Sequence, residues 1–120
     1  MKRMTESRLR KIAKALGWRD QLWELASGDK TVAFHADTRP VWIDRDTGTK
    51  PEVLADEIAA GWAKAKFGVN VELVGHNYEL SFAGSVDREF TARSPRLSTA
   101  VLVAACDWAD AGCPGGKVKT

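Results

Sequence analysis

Cysteine, histidine and proline are scarce in this sequence, and it contains no long hydrophobic run. Among 120 residues there are two cysteines, two histidines and four prolines. No stretch approaches the roughly 20 apolar residues that a membrane helix needs. The charged first residues are not followed by an apolar segment, so we expect no secretory signal and take the cytoplasm as the default location. These absences argue against a membrane protein and against a small disulfide-stapled domain.

The residues that usually carry chemistry are scattered along the chain. Neither His35 nor His76 has a cysteine or a second histidine at the spacing of zinc ligands. Cys106 and Cys113 are seven residues apart, which is about 10 Å along one helix and too far for a disulfide. The aspartic-protease-like triplet at 46–48 stands alone, directly before a helix start, and is interpreted as a turn. We therefore expect free thiols, no metal, no cofactor and no enzymatic activity.

The composition that is present is typical of a globular domain, with 44% hydrophobic and 28% charged residues. A chain of this length can bury a core without disulfides or metals, so we predict a single domain over residues 1–112. Gly112 and Pro114 are expected to stop the last helix. Residues 113–120, CPGGKVKT, are predicted to form a disordered tail.

Positive charge is concentrated at the start of the chain. Residues 1–19 carry seven Lys and Arg against one acid, whereas residues 20–60 carry four against nine. Thr5 and Gly17 are typical caps for a helix over 6–16, whose apolar residues fall on one stripe. We predict that the cations on the opposite side face outward and bind an acidic protein surface or a phosphate backbone; a solvated helix face is the alternative. These candidate partner-binding cations are Arg8, Arg10, Lys11 and Lys14.

In the middle of the chain, the residue pattern predicts short helical turns, two short strands and one long helix. Residues 20–26, DQLWELA, are interpreted as one or two helical turns. Residues 31–35 and 41–43 are predicted strands, the second an edge strand because a proline precedes it. Residues 49–52, TKPE, match a capping box with proline in the first turn, which predicts a helix from there to about Lys66.

Five tryptophans are an unusual number for this length. Trp62 and Trp108 lie on apolar helix stripes and are predicted to be core residues. The tryptophans on irregular or edge segments have two interpretations, a small core under loops or anchors for a partner surface. From this group, we take Trp23 and Trp42 as candidate partner-binding residues.

Residues 69–82 predict a β-hairpin. Apolar residues fall at odd positions in the first strand and at even positions in the second. A register that pairs Val71 with Leu80 makes every apolar residue face an apolar one, and it leaves Gly75 and His76 as a two-residue loop. We expect both Val71 and Leu80 to be buried.

A third strand near 88–92 is predicted to return beside the hairpin and to place Phe90 next to Leu80. The Ser-Pro pair at 94–95 is predicted to start the last helix, which runs to about Ala111. The fold class is therefore α+β, with an antiparallel sheet (the hairpin plus a third strand) packed against helices in a sandwich-like arrangement.

The order of helix, three strands and helix after residue 49 resembles that of a double-stranded-RNA-binding domain. That domain needs a lysine cluster at the start of its last helix. This sequence has Ser-Pro-Arg-Leu-Ser at 94–98 instead, so the RNA-binding function does not carry over.

A second resemblance covers most of the chain. It is carried by the stretches IAKALGW (12–18), VLADEIAAGWAKAK (53–66), VNVELVGHNYELSFAG (69–84) and FTARSPRLSTAVLVAAC (90–106). Their order is a helix ending in Gly-Trp, a Trp-bearing helix, an aromatic hairpin and an Ala-rich last helix. In this order and spacing, the sequence resembles the phage ABA sandwich domain family of small bacteriophage and prophage proteins. The resemblance supplies no catalytic or ligand-binding residues.

The resemblance implies a small non-catalytic phage or prophage accessory protein that binds a host protein or protein complex. An inhibitor of bacterial defence, such as an anti-CRISPR protein, is the leading interpretation. The alternative is a nucleic-acid-binding protein that uses the basic first helix. The two differ in the salt dependence of binding, which is steep when phosphates are contacted.

Overall fold

The computed structural model describes residues 3–24, 27–28, 30–36, 38–43, 48–85 and 88–115. This part of the chain contains three helices and six strands, which confirms the α+β class. The helices are α1 (Glu6–Leu16), α2 (Pro51–Lys64) and α3 (Leu97–Asp110). The strands are β1 (Arg19–Glu24), β2 (Lys30–His35), β3 (Pro40–Trp42), β4 (Gly68–Val74), β5 (Asn77–Ser85) and β6 (Arg88–Ser94).

Strands β1, β2 and β3 form an antiparallel sheet in that order, here called sheet A. The prediction of helical turns over 20–26 is wrong, because Arg19–Glu24 is strand β1 and pairs with β2 along its whole length. One helical turn leaves most of its backbone groups unpaired, whereas β2 supplies a partner strand. The two predicted strands after it are confirmed, and β3 lies at an edge of the sheet. Most of the predicted turn at 46–48 lies outside the described residues.

Helix α1 begins and ends as predicted. The Thr5 side chain accepts a hydrogen bond from the Arg8 backbone N–H at 3.2 Å, and Gly17 ends the helix with φ of 77°. Leu9 and Ile12 are buried on its apolar stripe. Local capping chemistry therefore sets both ends of this helix.

Helix α2 forms in the predicted place without the predicted capping box. Lys50 occupies the N-cap position, and no side chain caps the helix. The Thr49 hydroxyl instead accepts a hydrogen bond from the backbone N–H of Trp42 at 2.9 Å. Thr49 therefore ties the start of α2 to strand β3, and Pro51 in the first turn remains the local helix signal. The helix ends at Lys64 rather than near Lys66, which has φ of 63°.

Strands β4, β5 and β6 form a second antiparallel sheet, here called sheet B. The predicted hairpin register is confirmed, since Val71 pairs with Leu80 and Gly75 has φ of 62° in the two-residue turn. The predicted burial is correct only for Leu80, which is 1% exposed, whereas Val71 is 44% exposed. Strand β4 is an edge strand that pairs with β5, whereas α3 packs on β5 and β6.

The register of the third strand differs from the prediction by two residues. Phe90 pairs with Phe82, and Leu80 pairs with Ala92. Strand β5 continues to Ser85, through residues that were expected to turn, so β6 pairs two positions further along. Phe90 is still buried, because a shift of two residues keeps a side chain on the same face.

The last helix starts later in the chain than predicted, and the first residues after it pack on the domain. Ser94 still belongs to β6, and its hydroxyl accepts a hydrogen bond from the Arg96 N–H at 3.2 Å, so α3 begins at Leu97. Cys113 is buried, and the Trp108 indole N–H donates to the carbonyl of Pro114 at 3.0 Å. These two residues were placed in the predicted tail but pack on the domain. Residues 116–120 lie outside the described part.

One hydrophobic core joins the three helices to both sheets. Helix α3 packs on β5 and β6, and α2 packs on α3 and β4. Phe34 and Val41 contribute side chains from sheet A to the same core. Trp62 and Trp108 are fully buried in it, as predicted.

Candidate functional site

The two candidate tryptophans lie together on one face of sheet A. Side chains alternate between the faces of a strand, and Phe34 and Val41 point to the domain core. Trp23 and Trp42 occupy the opposite register positions and therefore the opposite face. We call this surface the outer face of sheet A.

The indole rings of Trp23 and Trp42 are in contact across β2. Their ring centroids are 5.2 Å apart and their planes are tilted by 37°. Thr31 and Ala33, their partners on the central strand, are buried although they point away from the core. The two tryptophans therefore form a small aromatic cluster of their own, and both rings remain half-buried.

Polar side chains border this aromatic cluster. The register places Arg19, Gln21 and His35 on the same face, together with Pro40. Arg19 and Gln21 are exposed, and the His35 ring Nε2 lies 2.5 Å from the Gln21 side-chain oxygen. An aromatic centre with a polar border is the usual composition of a protein-binding hot spot.

The indole nitrogens of this cluster lack acceptors within the part of the chain that the structure describes. The Nε1 atoms of Trp23 and Trp42 are buried and have no hydrogen-bond partner there. Buried indole N–H groups usually donate a hydrogen bond. Trp62 in the core shares the same property, so an unpaired indole N–H does not by itself mark a binding surface.

Two of the four candidate cations on α1 are paired within the chain. The Arg8 guanidinium donates to both carboxylate oxygens of Asp110, at 2.9 and 3.1 Å, and to the backbone carbonyl of Arg3 at 2.6 Å. The hydrogen bond to Asp110 is the main cause that raises the Arg8 pKa. Arg10 lies 3.6 Å from the Glu6 carboxylate and its guanidinium is 5.6 Å from the centre of the Phe34 ring.

The expectation that all four cations face outward to bind a partner is therefore wrong for Arg8. Its partner Asp110 is the last residue of α3, so the ion pair fastens α1 to α3. Lys11 and Lys14 are exposed, and neither forms an ion pair with any residue of the described ranges. Within the described ranges, Lys11 and Lys14 are thus the two cations of α1 that have no carboxylate partner.

Charge reversal on α1 should separate the structural role of Arg8 from the exposed charges of Lys11 and Lys14. Arg8→Glu is expected to lower the free energy of unfolding, because the new carboxylate would face that of Asp110. The double change Lys11→Glu and Lys14→Glu should leave stability nearly unchanged, since exposed charges contribute little. Urea unfolding of the three proteins measures both effects. Equal midpoints for Arg8→Glu and the original chain would show that the Arg8–Asp110 pair is not maintained in solution.

Glu57 is a buried acid that the sequence reasoning did not single out. It is 6% exposed on α2, and its two carboxylate oxygens accept hydrogen bonds from the Thr38 hydroxyl at 3.0 and 2.9 Å. Arg39 lies 3.4 Å away. The carboxylate thereby ties the chain after β2 to α2. Its position beside Ile58, on the apolar side of the helix, is the signal that could have found it.

Other polar features have structural explanations of the same kind. The face of sheet B that carries Glu72 and Glu79 forms an open groove of about 630 Å³, where Glu79 pairs with Arg93 at 3.3 Å. Burial raises the pKa of the Cys113 thiol to about 11, an effect that Lys11 partly offsets, so this thiol is protonated at neutral pH. Cys106 and Cys113 are both free of a disulfide.

Among the described residues, no group of three or more His, Cys, Asp and Glu side chains is placed to hold a metal ion. None of the helices in the described ranges is long and apolar enough to cross a bilayer. Comparison of the chain with protein-family models, with curated proteins and with solved structures gives no match.

Proposed function

We propose that this protein acts by binding another protein, without catalysis, through the outer face of sheet A. The observation that carries this proposal is the pair of half-buried indoles, Trp23 and Trp42, in contact on a sheet face that points away from the core. Tryptophan is among the residues most enriched at binding hot spots, because one ring supplies a large rigid contact area.

The border of this face favours a protein partner. Arg19, Gln21 and His35 offer donors and acceptors around the rings, while the centre offers apolar surface. Protein interfaces have the same arrangement of apolar centre and polar rim. Both rings stand on paired strands, so little ordering is needed when a partner binds.

The resemblance to small phage proteins extends the proposal to a partner class. A phage or prophage accessory protein would meet a host protein or protein complex in the cytoplasm of the bacterial cell. Inhibition of a bacterial defence complex, as by an anti-CRISPR protein, is the specific form that this resemblance favours. It rests on the resemblance of the sequence, and the aromatic face supplies the proposed contact surface.

Nucleic-acid binding through α1 has less support. Arg8 and Arg10 are already paired with carboxylates of the same chain. Two exposed lysines, Lys11 and Lys14, neutralise few phosphates, and affinity for nucleic acid rises with the number of phosphates neutralised.

Trp23→Ala tests the proposed surface. We expect capture of the partner from a bacterial lysate to fall by about 30-fold or more in apparent affinity, since truncation of a hot-spot tryptophan typically costs about 2 kcal/mol or more. The matched control is Leu22→Ala, on the same strand but the opposite face, where Leu22 is 62% exposed. This control should retain the partner.

Three outcomes are informative. Loss of capture with Trp23→Ala alone supports the outer face of sheet A. Equal capture by both variants would exclude that face. Capture that disappears after nuclease treatment and falls with Lys11→Glu and Lys14→Glu would replace the proposal by the nucleic-acid alternative.

A further inference from the structure

Strand β4 differs from the other strands at the edges of the two sheets. Natural edge strands are usually short, charged, interrupted by bulges or broken by proline, which prevents unwanted pairing. Strand β3 has three residues and starts with Pro40, and β1 carries three charged residues in six. The pairing of β6 with β5 is irregular between Ala83 and Ser85. Strand β4, GVNVELV, is seven residues long, pairs without interruption, and has one charged residue.

The apolar side chains of β4 are also uncovered. Leu73 is 65% exposed and Val71 is 44% exposed, although both lie on the face of sheet B that carries the core residues Leu80 and Phe82. Val69, nearer the start of the strand, is partly buried against the core. The apolar surface of this edge therefore grows towards the hairpin turn.

The hairpin turn determines which backbone groups of β4 are free. Val74 and Asn77 flank the two-residue turn, so their backbone groups bond to each other. Hydrogen-bonded and non-bonded positions alternate along an antiparallel pair. The N–H and C=O groups of Val69, Val71 and Leu73 therefore point away from β5, towards the open edge.

These groups are self-complementary in one antiparallel register. If Val71 faces Val71 of a second copy, Val69 faces Leu73 of that copy, and every outward N–H and C=O of the three residues finds a partner. Asn70 then faces Glu72 of the second copy, an amide opposite a carboxylate. Shifting the strands by two residues leaves Val69 or Leu73 unpaired, and in one direction it places Glu72 opposite itself, which is unfavourable.

We propose that the protein forms a symmetric homodimer in which β4 pairs antiparallel with β4 of a second copy, with the two-fold axis at Val71. Sheet B then continues from one copy into the other. Leu73 is the most exposed apolar side chain of the strand. In the dimer it lies beside Val69 of the second copy, a residue that is partly buried against the core of that copy, so Leu73 loses contact with water. The proposal is independent of the partner surface on sheet A, because it uses the other sheet.

Charge substitutions at the two-fold axis test this register. Val71→Lys and Val71→Glu should each raise the dimer dissociation constant by about 100-fold or more, because residue 71 faces its own copy and like charges are placed together. An equimolar mixture of the two variants should form a heterodimer, since lysine then faces glutamate. Sedimentation equilibrium at several protein concentrations measures all of these species.

Leu22→Lys and Leu22→Glu provide the matched control, because Leu22 is an exposed apolar residue on the edge strand β1. These variants should dimerise like the original chain. A circular dichroism melt confirms that each variant is folded. The proposal is overturned if the original protein remains monomeric at protein concentrations up to roughly 0.1 mM, because the dimer dissociation constant would then be too high for a specific association. It is equally overturned if the Val71 variants dimerise normally, or if their mixture does not regain the dimer.

Discussion

Replacing Trp62 by alanine is expected to lower the free energy of unfolding by about 3–5 kcal/mol, the range for truncating a buried aromatic side chain. Trp62 is fully buried at the centre of the domain. Its ring stacks on Phe82 with centroids 4.0 Å apart and meets Trp108 edge-on at 5.8 Å. The substitution removes contacts to α3 and to sheet B together, so the neighbouring rings would line a cavity.

A loss of this size approaches the whole free energy of unfolding of many small domains, and the alanine variant could then fail to fold. A second, milder variant keeps the prediction testable. Trp62→Phe keeps an aromatic ring against Phe82 and should cost clearly less than Trp62→Ala. Trp23→Ala, the same truncation outside the core, should also cost less, because Trp23 is only half-buried. Guanidinium unfolding of the three variants measures their free energies of unfolding and so the order of the losses. A loss below about 1 kcal/mol for Trp62→Ala would contradict the central position of this residue.

The elements that sequence reasoning located correctly are those whose signals are local. Helix α1 has its N-cap Thr5 and its stop Gly17 within one turn of its ends, and both act as expected. The hairpin register follows from the parity of the apolar residues on two adjoining strands and from a two-residue loop at Gly75. In each case the determining residues are close together in the chain.

The errors come from partners that lie far away in the chain. Residues 20–26 were expected to be helical because no local feature shows that β2 lies beside them. Arg8 was expected to be free, and its carboxylate partner Asp110 lies 102 residues further along. The register of β6 against β5 was predicted two residues out, because nothing in the Gly84-Ser85 pair shows that β5 continues through it.

The candidate site was predictable only in its residue types. Trp23 and Trp42 were selected because tryptophans on edge segments are either packed under loops or exposed to partners. Their contact at 5.2 Å depends on two registers, β1 with β2 and β2 with β3, and one of these strands was not expected. They lie on the face of sheet A opposite Phe34, and this shared placement depends on the same two registers.

Leu80→Ala is expected to lower the free energy of unfolding by about 2–5 kcal/mol, whereas Val71→Ala should cost less than about 1 kcal/mol. The two residues pair directly across the hairpin, on one face of sheet B. They differ in burial, since Leu80 on the central strand is 1% exposed and Val71 on the edge strand is 44% exposed. Burial and not pairing should therefore determine the loss, because an exposed side chain leaves no cavity when it is truncated.

Urea unfolding measures this difference at a protein concentration low enough to keep the chain monomeric, so that contacts between copies do not contribute. Val69→Ala is an informative third variant, because Val69 is partly buried on the same strand and should give an intermediate loss. Equal losses for Leu80→Ala and Val71→Ala would mean that the edge strand is covered in the monomer. The exposed β4 surface, on which strand pairing between two copies depends, would then not exist.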